Sequence, residues 1–526
     1  MLKTKFLRSH FLLFNFKKLN SYFITSPIYY PNDKPHIGHL YTNCLCDVIA
    51  RWNRLKGKNV IFSTGTDEHG IKIQKSAENL KMNYNKFVDI SSNNFKILFD
   101  SSDISYSDFI RTTEERHIKA VQNVWTELMN KNYLRKDTYA GWYSLIDECF
   151  ISNISELEDN LRHSVEWCEE ENWIFDIERF KPQIRKWANS NTIHPHCFLP
   201  AVNDFLDGMN SISVSRPNHR IKWGVPVPND PDQTIYVWFD ALINYLTASQ
   251  TDAGKVWPAD IQVIGKDIVK FHTVFWPAIL LALDHALPKK LIIHSHWLMD
   301  GTKMSKSLGN VVDPNKEAEI LGGFEQLKYF LLTENAIASD KIYDRACAVE
   351  KINNNLVNIT GNLLSRISGV RINPHQRLGV NVDLDESIFV GDEYNKLLSK
   401  LMFLYPKFEI HMNNFDIHLA IETVISVLRQ TNVFFDSQKP WKLSVDETVK
   451  EAVIYVSSES LRMSAILFQC IVPKLADRIL NRLLVFPNKR TLAEMHFNQP
   501  CQRNFRSLQN CDKESILINR ISKCDS

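Results

Sequence analysis

The segment 22–63, YFITSPIYYPNDKPHIGHLYTNCLCDVIARWNRLKGKNVIFS, determines the fold class of this chain. Its first part, up to Tyr30, is rich in aromatic and β-branched side chains, which predicts a strand. From Gly38 onward, apolar side chains recur every four positions until a stop signal at Gly57, which predicts an amphipathic helix. The β-rich run 59–63 follows, and strand, helix and strand together form the βαβ unit of a parallel sheet.

The same alternation of strands and helices returns in the second half of the chain. Three β-rich runs, at 234–238, 261–264 and 290–294, are separated by helical patterns, so we predict that they complete the sheet. The region before them mixes aromatic and acidic residues in short segments, which indicates an inserted subdomain, and helical periods dominate the region after them. The predicted architecture is α/β with an all-α C-terminal bundle, in this order: leader 1–21, first half of the sheet domain 22–130, inserted subdomain 131–223, second half of the sheet domain 224–327, helical bundle 328–486 and tail 487–526.

The composition limits the possible classes of function. The chain has 526 residues, which is enough for several domains, and its apolar content of 44% is ordinary for globular proteins. Its net charge of +2 means that any binding of nucleic acid must use local basic patches. No apolar run is long enough to span a bilayer, so we expect no membrane partner.

The ten cysteines are scattered, and none forms a CxxC pair. This spacing argues against a disulfide framework and against a zinc knuckle, since knuckle ligands come in closely spaced pairs. The inserted subdomain contains only Cys149, Cys168 and Cys197, which are too far apart to act as such pairs. We therefore predict no structural zinc.

The first 21 residues differ in character from the rest of the chain. They contain five Lys and Arg residues, and no Asp or Glu occurs before Asp33. Apolar and aromatic side chains lie between the basic ones, which is the profile of a mitochondrial transit peptide. A secretory signal is disfavoured because no small-residue cleavage site follows the apolar run, while an untargeted terminus remains an alternative. The leader therefore predicts a location in the mitochondrial matrix.

The motif HIGH, from His36 to His39, lies where the first predicted strand is followed by the first helix. A helix start offers unpaired backbone N–H groups and the positive end of the helix dipole, and both suit the phosphates of a nucleotide such as ATP. Two imidazoles at this place can donate hydrogen bonds to an α-phosphate as negative charge builds up on it. Gly38 has no Cβ, so we expect the nucleotide base to approach the backbone there. By itself, the motif also fits polar histidines on the surface.

A second motif, KMSKS at 303–307, lies more than 260 residues later and is bounded by Gly301 and Gly309. We predict a flexible loop whose ammonium groups, Lys303 and Lys306, close on the β- and γ-phosphates. Alone, this motif also fits a solvated basic loop. Together, the two motifs in one α/β chain predict a site for ATP.

Several sequence blocks make the chain similar to the class I aminoacyl-tRNA synthetases, and specifically to the methionyl enzymes. Besides HIGH and KMSKS, the matching blocks are TSPIYYPN at 25–32, GTDEHG at 65–70, YVWFDAL at 236–242, GKDI at 265–268, FH at 271–272 and PW at 440–441. The resemblance covers about residues 22–484, and it is specific because separated blocks occur in the family's order. It implies a Rossmann-type catalytic domain followed by an anticodon-binding helical bundle.

The resemblance implies a methionine–tRNA ligase. Such an enzyme activates methionine with ATP and Mg²⁺, forms methionyl-adenylate and pyrophosphate, and transfers the methionyl group to the 3′ end of tRNA(Met), here for mitochondrial translation. Methionine, ATP and tRNA are the implied partners. The chain has no room for the appended tRNA-binding and dimerisation domain of some relatives, so we expect a monomer.

The resemblance also implies roles for individual residues at the nucleotide. Asp267 would hold the ribose, since a carboxylate accepts hydrogen bonds from sugar hydroxyls, and Gly265 would let the nucleotide approach its backbone. The implied catalytic residues are His36, His39, Lys303 and Lys306. The implied ATP-binding residues are His36, Gly38, His39, Gly265, Asp267, Lys303 and Lys306.

Methionine and tRNA have implied residues too. Asp67, at a strand end where open α/β folds bind ligands, would hold the α-amine of methionine. An aromatic and apolar pocket suits the polarizable thioether. Trp441 would stack on an anticodon base and Asn358, on a helix facing it, would read the anticodon. The implied methionine-binding residues are Ile28, Tyr30, Asp67, Trp238, Ala241, Tyr245 and His272.

Two alternatives remain open. One is a class I synthetase for another amino acid, although the inserted subdomain is too short for the large editing domain of the isoleucyl, valyl and leucyl enzymes. The other is a tRNA-binding paralogue without catalytic activity, which the two intact motifs disfavour. Lys328 stands where an Arg is common in the family, and this change keeps the charge.

Overall fold

The structure is a computed structural model that describes residues 21–144, 149–151, 165–251, 254–304, 309–334, 336–378, 384, 386–442, 444–497, 506–507 and 517–522. Nearly all of the predicted leader, Lys306 and much of the predicted tail lie outside these residues.

The secondary structure follows the predicted order, with strands concentrated before residue 304 and long helices after residue 390. The strands are β1 (Tyr22–Tyr29), β2 (Val60–Thr66), β3 (Asp108–Arg111), β4 (Leu134–Ser144), β5 (Cys149–Ile151), β6 (Val165–Asp176), β7 (Ile193–His194), β8 (Ser211–Ser213), β9 (Ser215–Pro217), β10 (Pro226–Val227), β11 (Asp230–Ile235), β12 (Gln250–Thr251), β13 (Gly254–Lys255), β14 (Ile261–Gly265), β15 (Leu291–His294), β16 (Trp297–Met299), β17 (Thr302–Lys303), β18 (Lys341–Ile342), β19 (Arg377–Leu378) and β20 (Arg506–Ser507). The α-helices are α1 (Ile37–Leu55), α2 (Ile71–Asn79), α3 (Tyr84–Ser101), α4 (Glu115–Asn130), α5 (Lys181–Trp187), α6 (Leu199–Gly208), α7 (Val237–Ala248), α8 (Trp276–Ala282), α9 (Pro314–Ile320), α10 (Phe324–Thr333), α11 (Arg345–Ile352), α12 (Asn362–Ser368), α13 (Glu393–Asn413), α14 (Ile417–Gln438), α15 (Glu447–Phe468) and α16 (Pro473–Arg482).

A six-stranded sheet in the order β3-β2-β1-β14-β15-β7 organises the first 300 residues, and every neighbouring pair in it is parallel. Helices cover the sheet, so its central strands β1, β2 and β14 are largely buried, as expected for a parallel sheet. The chain builds outward from β1 to β3 and then returns to β14, next to β1 on the other side. Open α/β folds bind ligands at such a reversal of strand order. The predicted α/β fold class is confirmed.

The prediction of a strand at 234–238 is wrong in two respects. β11 ends at Ile235, and it pairs antiparallel with β9 and β10 in a separate small sheet. Val237 and Trp238 already belong to α7, which is buried over nearly all of its length. A helix that is apolar on every side shows no 3.6-residue period, so its start reads as a strand.

The inserted segment contributes to three sheets. β4, β5, β6 and β8 form an antiparallel sheet in the order β5-β4-β6-β8, with α5 and α6 between β6 and β8 in the chain. β9 pairs with β11 in the small antiparallel sheet. The short strand β7 leaves this subdomain and pairs with β15, so the segment also supplies one edge of the parallel sheet. The sequence did not predict this, because two residues are too few to show a period.

The C-terminal part is helical, as predicted, with α13, α14, α15 and α16 packed side by side. Short strand pairs also occur here, since β18 adds to β16 and β19 pairs with β20. A π-helical segment, Asn353–Gly361, connects α11 to α12.

A buried ion pair joins α1, which begins at the HIGH motif, to α10, which follows the KMSKS motif. Nζ of Lys328 in α10 donates to Oδ2 of Asp47 in α1 at 2.9 Å and to the carbonyl of Ser102 at 3.1 Å. Arg51 and Ser105 also donate to Asp47, whose side chain is fully buried. Burial by itself would raise the pKa of Asp47, but the charges of Lys328 and Arg51 and these hydrogen bonds lower it to about 2.

We predict that Asp47→Asn lowers the free energy of unfolding by about 3–5 kcal/mol at pH 7, because it leaves Lys328 buried without its counter-ion. The folded-state pKa of Asp47 is depressed, so its contribution is complete above about pH 4 and is lost as the pH falls toward 2. The difference from the wild type should therefore shrink by about 1 kcal/mol between pH 7 and pH 3 in urea titrations. Lys328→Arg, which keeps the charge, is the control and should cost less. A difference that stays constant down to pH 3 would contradict this role.

Candidate active site

A cavity of about 440 Å³ opens at the strand reversal between β1 and β14. The carboxyl ends of β1, β2 and β14, the start of α1, and α7 contribute to its wall. Both predicted groups, those for ATP and those for methionine, meet in this one cavity. The predicted residues on its wall are Ile28, Tyr30, His36, Gly38, His39, Asp67, Trp238, Ala241, Tyr245, Gly265, Asp267 and His272.

The two histidines of HIGH cap α1 with their own rings. Nδ1 of His36 accepts a hydrogen bond from the backbone N–H of Gly38, and Nδ1 of His39 accepts from the N–H of His36, both at 3.1 Å. A ring nitrogen that accepts carries no proton, so each ring carries its proton on Nε2. Each ring therefore has an N–H donor, which is the polarity that a phosphate oxygen requires.

Gly38 is required by this cap. A Cβ at Gly38 would lie 2.8 Å from Cε1 of His36, in the space that the ring occupies when it turns back. The expected approach of a nucleotide base to Gly38 stays a prediction. Gly265 is similar, because a Cβ there would lie 2.6 Å from Oδ1 of Asp267. Each glycine thus makes room for a side chain of the site itself.

The segment that begins with the second motif contacts the first motif. The N–H of Ile37, at the start of α1, donates to the carbonyl of Val312 at 3.2 Å, and Met304 is buried on the cavity wall. The segment that we expected to be a loop begins as a hairpin, since β17 pairs with β16. Lys306 and the side chain of Lys303 lie outside the described part of the chain.

Hydrogen bonds determine the protonation of His272. Its Nδ1 lies 3.0 Å from the carbonyl oxygen of Ile268, which can only accept, so Nδ1 carries the proton. Nε2 then accepts from the hydroxyl of Tyr245 at 2.7 Å. Burial lowers the pKa of His272 to about 4, so the ring is neutral near pH 7. His272 lies in a π-helical turn, Phe271–Phe275, a feature frequent at functional sites.

Aromatic rings form the rest of this end of the cavity. Trp238 stacks on Phe271 with ring centroids 3.8 Å apart and nearly parallel planes. At the opposite side, Asp67 follows the end of β2 and is 7% exposed, and its N–H donates to the carbonyl of Tyr29. The cavity therefore has an apolar, aromatic end and a carboxylate side.

Several wall residues were missed by sequence reasoning. His294 is the last residue of β15 and His296 follows it, at the carboxyl edge of the sheet, and this position at the end of a predicted strand was the signal that could have found them. Nε2 of His296 lies 3.1 Å from Oδ1 of Asp267. Burial lowers the pKa of His294 to about 4. Phe271 was also missed, because an aromatic residue in an apolar helix reads as core.

The two predicted anticodon residues lie in the helical part, away from the cavity wall. Trp441 follows α14 and is 38% exposed. The guanidinium of Arg366 lies 5.5 Å from the Trp441 ring and also contacts Phe435. Asn358 lies two turns before Arg366, and its Oδ1 is 3.5 Å from a guanidinium nitrogen of Arg520. Arg366 therefore provides the described contact between Trp441 and residues 353–368, which include Asn358.

Two features of the described residues bear on cofactors and membranes. No group of three or more His, Cys, Asp and Glu residues is placed to hold a metal ion within the described ranges. Among the same residues, no helix has the length and apolar character needed to cross a bilayer. The absence of zinc stays a prediction.

Comparisons with known proteins point to one family. The family described as "tRNA synthetases class I (M)" matches residues 22–158 and 153–368. The mitochondrial methionine–tRNA ligase of Xenopus laevis is 38% identical over 90% of this chain and 87% of its own length. The methionine–tRNA ligase of the bacterium Rickettsia bellii is 38% identical over 90% and 94%. The solved methionyl-tRNA synthetase of Mycobacterium tuberculosis in complex with methionyl-adenylate matches with a TM-score of 0.84 and 34% identity, covering 90% of this chain and 96% of that one.

We predict that Tyr245→Phe raises the pKa of His272 from about 4, because the hydroxyl no longer donates to the Nε2 of the neutral ring. Nitrogen-15 NMR of labelled imidazoles measures both the pKa and the proton position, and loss of one signal in His272→Asn assigns the ring. Tyr343→Phe, a buried tyrosine whose hydroxyl bonds Glu317, is the matched control and should change nothing. A proton on Nε2, or an unchanged pKa in Tyr245→Phe, would contradict the assignment.

Proposed function

This chain belongs to the methionyl branch of the class I tRNA synthetases, and on that basis we propose that it works as a methionine–tRNA ligase of the mitochondrial matrix. The predicted family and enzyme class are confirmed by relatives that share about two fifths of its residues over nine tenths of its length. The observation that carries the proposal is the single cavity, which joins a phosphate-binding helix start to an aromatic pocket with a neutral histidine.

The reaction has two steps. The carboxylate of methionine attacks the α-phosphorus of MgATP, the bond to pyrophosphate breaks, and methionyl-adenylate forms. The terminal ribose hydroxyl of tRNA(Met) then attacks the carbonyl carbon of the adenylate, and AMP leaves. The first step builds negative charge on the α-phosphate, so donors held ready beside it lower the barrier. Positioning of the two substrates supplies much of the remainder.

The nucleotide side of the cavity is assigned to the motif residues. His36 and His39 donate through Nε2–H to the α-phosphate, a role supported by the acceptance of backbone N–H groups at both Nδ1 atoms. Asp267 holds the ribose beside His296, with Gly38 and Gly265 completing this wall. Lys303 and Lys306 bind the β- and γ-phosphates, a role supported by the junction of their segment with α1 at Val312.

The aromatic end is assigned to the methionine side chain. The Nδ1–H of His272 donates to the carbonyl of Ile268, and the hydroxyl of Tyr245 donates to Nε2 of His272. Neither side chain therefore offers a polar hydrogen to a polar substrate side chain. A thioether needs none, and its sulfur packs well against aromatic rings. Asp67 pairs with the α-amine. The full pocket comprises Ile28, Tyr30, Asp67, Trp238, Ala241, Tyr245 and His272, with Phe271 behind Trp238.

The anticodon is assigned to the helical part. Trp441 offers a partly exposed ring for stacking on a base. Arg366, which contacts that ring, adds a cation beside the stacked base, and Asn358 lies about two turns earlier in the π-helical segment before α12. We therefore add Arg366 to the predicted pair.

The compartment follows from two observations. The leader is basic and free of acidic residues, although residues 1–20 lie outside the described part. Several relatives with about 38% identity are mitochondrial enzymes. A zinc-free, monomeric enzyme remains our prediction, and the spacing of the cysteines supports the absence of zinc.

We predict that the purified chain catalyses ATP–pyrophosphate exchange that depends on methionine and that neither leucine nor cysteine replaces it. Exchange driven by one of those instead would assign the chain to another specificity. No exchange with any amino acid, together with binding of tRNA, would leave a tRNA-binding paralogue.

We predict that His36→Asn lowers the exchange rate about 100- to 1000-fold and leaves thermal stability within about 2 °C of the wild type. Asn places an acceptor oxygen where Nδ1 lies and is a favoured N-cap, but it lacks the Nε2–H donor. His36→Ala loses the donor and the cap, so it should lose the same activity and about 1 kcal/mol of stability as well. A His36→Asn enzyme that retains more than a tenth of the wild-type rate would refute the assigned role.

A further inference from the structure

A buried chain of three charged or titratable side chains lies behind the methionine end of the cavity. Oδ2 of Asp240 is 2.7 Å from Nδ1 of His69, and Oδ1 of Asp240 is 2.9 Å from Nε2 of His117. Nδ1 of His117 is 3.0 Å from the hydroxyl of Thr247. His69, Asp240 and His117 are 4%, 1% and 0% exposed, and none of them lines the cavity. The reaction as derived above makes no use of them.

The chain joins the two structural elements that hold opposite ends of the amino acid. His69 is two residues beyond Asp67, in the short connection between β2 and α2. Asp240 lies in the first turn of α7, between Trp238 and Ala241 of the aromatic pocket. His117, in α4, bonds the same carboxylate from a third direction. Asp67 and the pocket residues are thus linked through one carboxylate.

The connection between β2 and α2, which carries Asp67, is also fixed by contacts with Trp223. The N–H of Gly70 donates to the carbonyl of Trp223, and the indole N–H of Trp223 donates to the carbonyl of Glu68. The His69 ring packs edge-on against Trp223 at 5.5 Å. The loop is therefore held on one side by Trp223, and Asp240 holds its other side against α7.

The charge of Asp240 makes the link strong. Burial would raise the pKa of this carboxyl, but His69 and His117 lower it to about 2, so it is ionised and accepts from both rings. Hydrogen bonds to an ionised group in a buried place are short and about twice as strong as neutral ones. Loss of the hydrogen bond from either histidine would leave the buried carboxylate of Asp240 with half of its partners.

We propose that His69, Asp240 and His117 are positioning residues that set the distance between the amine-binding carboxylate Asp67 and the aromatic pocket on α7, and that this distance selects the amino acid. The inference rests on the proposed function, since it concerns the methionine site. The affinity of a ligand that contacts both Asp67 and the aromatic pocket depends on this distance, whereas the affinity of a ligand that contacts only one of them does not. The two kinds of ligand therefore separate positioning from a merely structural role.

Paired amide substitutions test the two hydrogen bonds separately. The amide nitrogen of Asn can occupy the place of a histidine Nδ1, and that of Gln can occupy the place of Nε2. His69 uses Nδ1 toward Asp240, so His69→Asn keeps the bond and His69→Gln displaces it. His117 uses Nε2, so His117→Gln keeps the bond and His117→Asn displaces it. Within each pair, both variants carry the same polar group.

Binding is measured by calorimetric titration with three probes: methioninol, which has the amine and the thioether; 4-(methylthio)butanoate, which has the thioether without the amine; and ATP. We expect His69→Gln and His117→Asn to weaken methioninol at least about 10-fold, the equivalent of one lost hydrogen bond, with the other two probes changed less than about 3-fold. His69→Asn and His117→Gln should bind all three probes within about 3-fold of the wild type. Thermal melts identify any variant that does not fold, and the other pair then decides.

Three results would overturn the proposal: equal losses for all three probes, no loss in the displaced variants, or equal losses for Asn and Gln at the same position. Methionine-dependent exchange by the wild type is measured in parallel. If that exchange is absent, the proposed function fails. If it is present and the crossed pattern of Asn and Gln is absent, only the positioning role fails.

Discussion

The first turn of α1 contains backbone N–H groups that have no partner within the helix, and the site is built around satisfying them. The ring of His36 takes the N–H of Gly38, and the carbonyl of Val312 takes the N–H of Ile37. The bond to Val312 places the HIGH motif and the segment after KMSKS against each other. The bonds accepted at Nδ1 of His36 and of His39 put the imidazole protons on Nε2, so the helix start and the proposed phosphate are served together.

The middle of α1 connects the sheet domain to the helices that follow it. Asp47 lies about two turns beyond His39, and its bond to Lys328 attaches α1 to α10. The segment that follows KMSKS contacts α1 twice, through Val312 and through Lys328. Burial makes the pairing of these charges obligatory, because an unpaired ion in this place would cost several kcal/mol. The relative placement of the two motifs is therefore an outcome of how one helix is held.

Burial determines the charge of two histidines on the cavity wall. His272 and His294 are both held neutral because burial disfavours the imidazolium, with pKa values lowered to about 4. The carboxylate of Asp67 stays on the side proposed for the amine. His272 on the cavity wall and Asn358, which we propose for the anticodon, both lie in π-helical segments, a feature frequent at functional sites. The carboxylate of Asp240 lies behind the cavity wall, where it accepts hydrogen bonds from His69 and His117.

The sequence alone determined the parallel α/β sheet, the helical C-terminal part and twelve of the residues on the cavity wall. These features depend on local patterns, such as the four-residue period after Gly38 and contiguous blocks such as HIGH and GTDEHG, which are readable without distant contacts. The tertiary structure alone decided that β7 joins the parallel sheet, that α7 begins at Val237, that Arg366 contacts Trp441, and which nitrogen of each imidazole carries its proton. It also decided that His69 meets Asp240, 171 positions later in the chain. The pairing of β7, the contact of Arg366 with Trp441 and the bond between His69 and Asp240 join residues remote in sequence, and the burial that gives such contacts their strength exists only after the chain has folded.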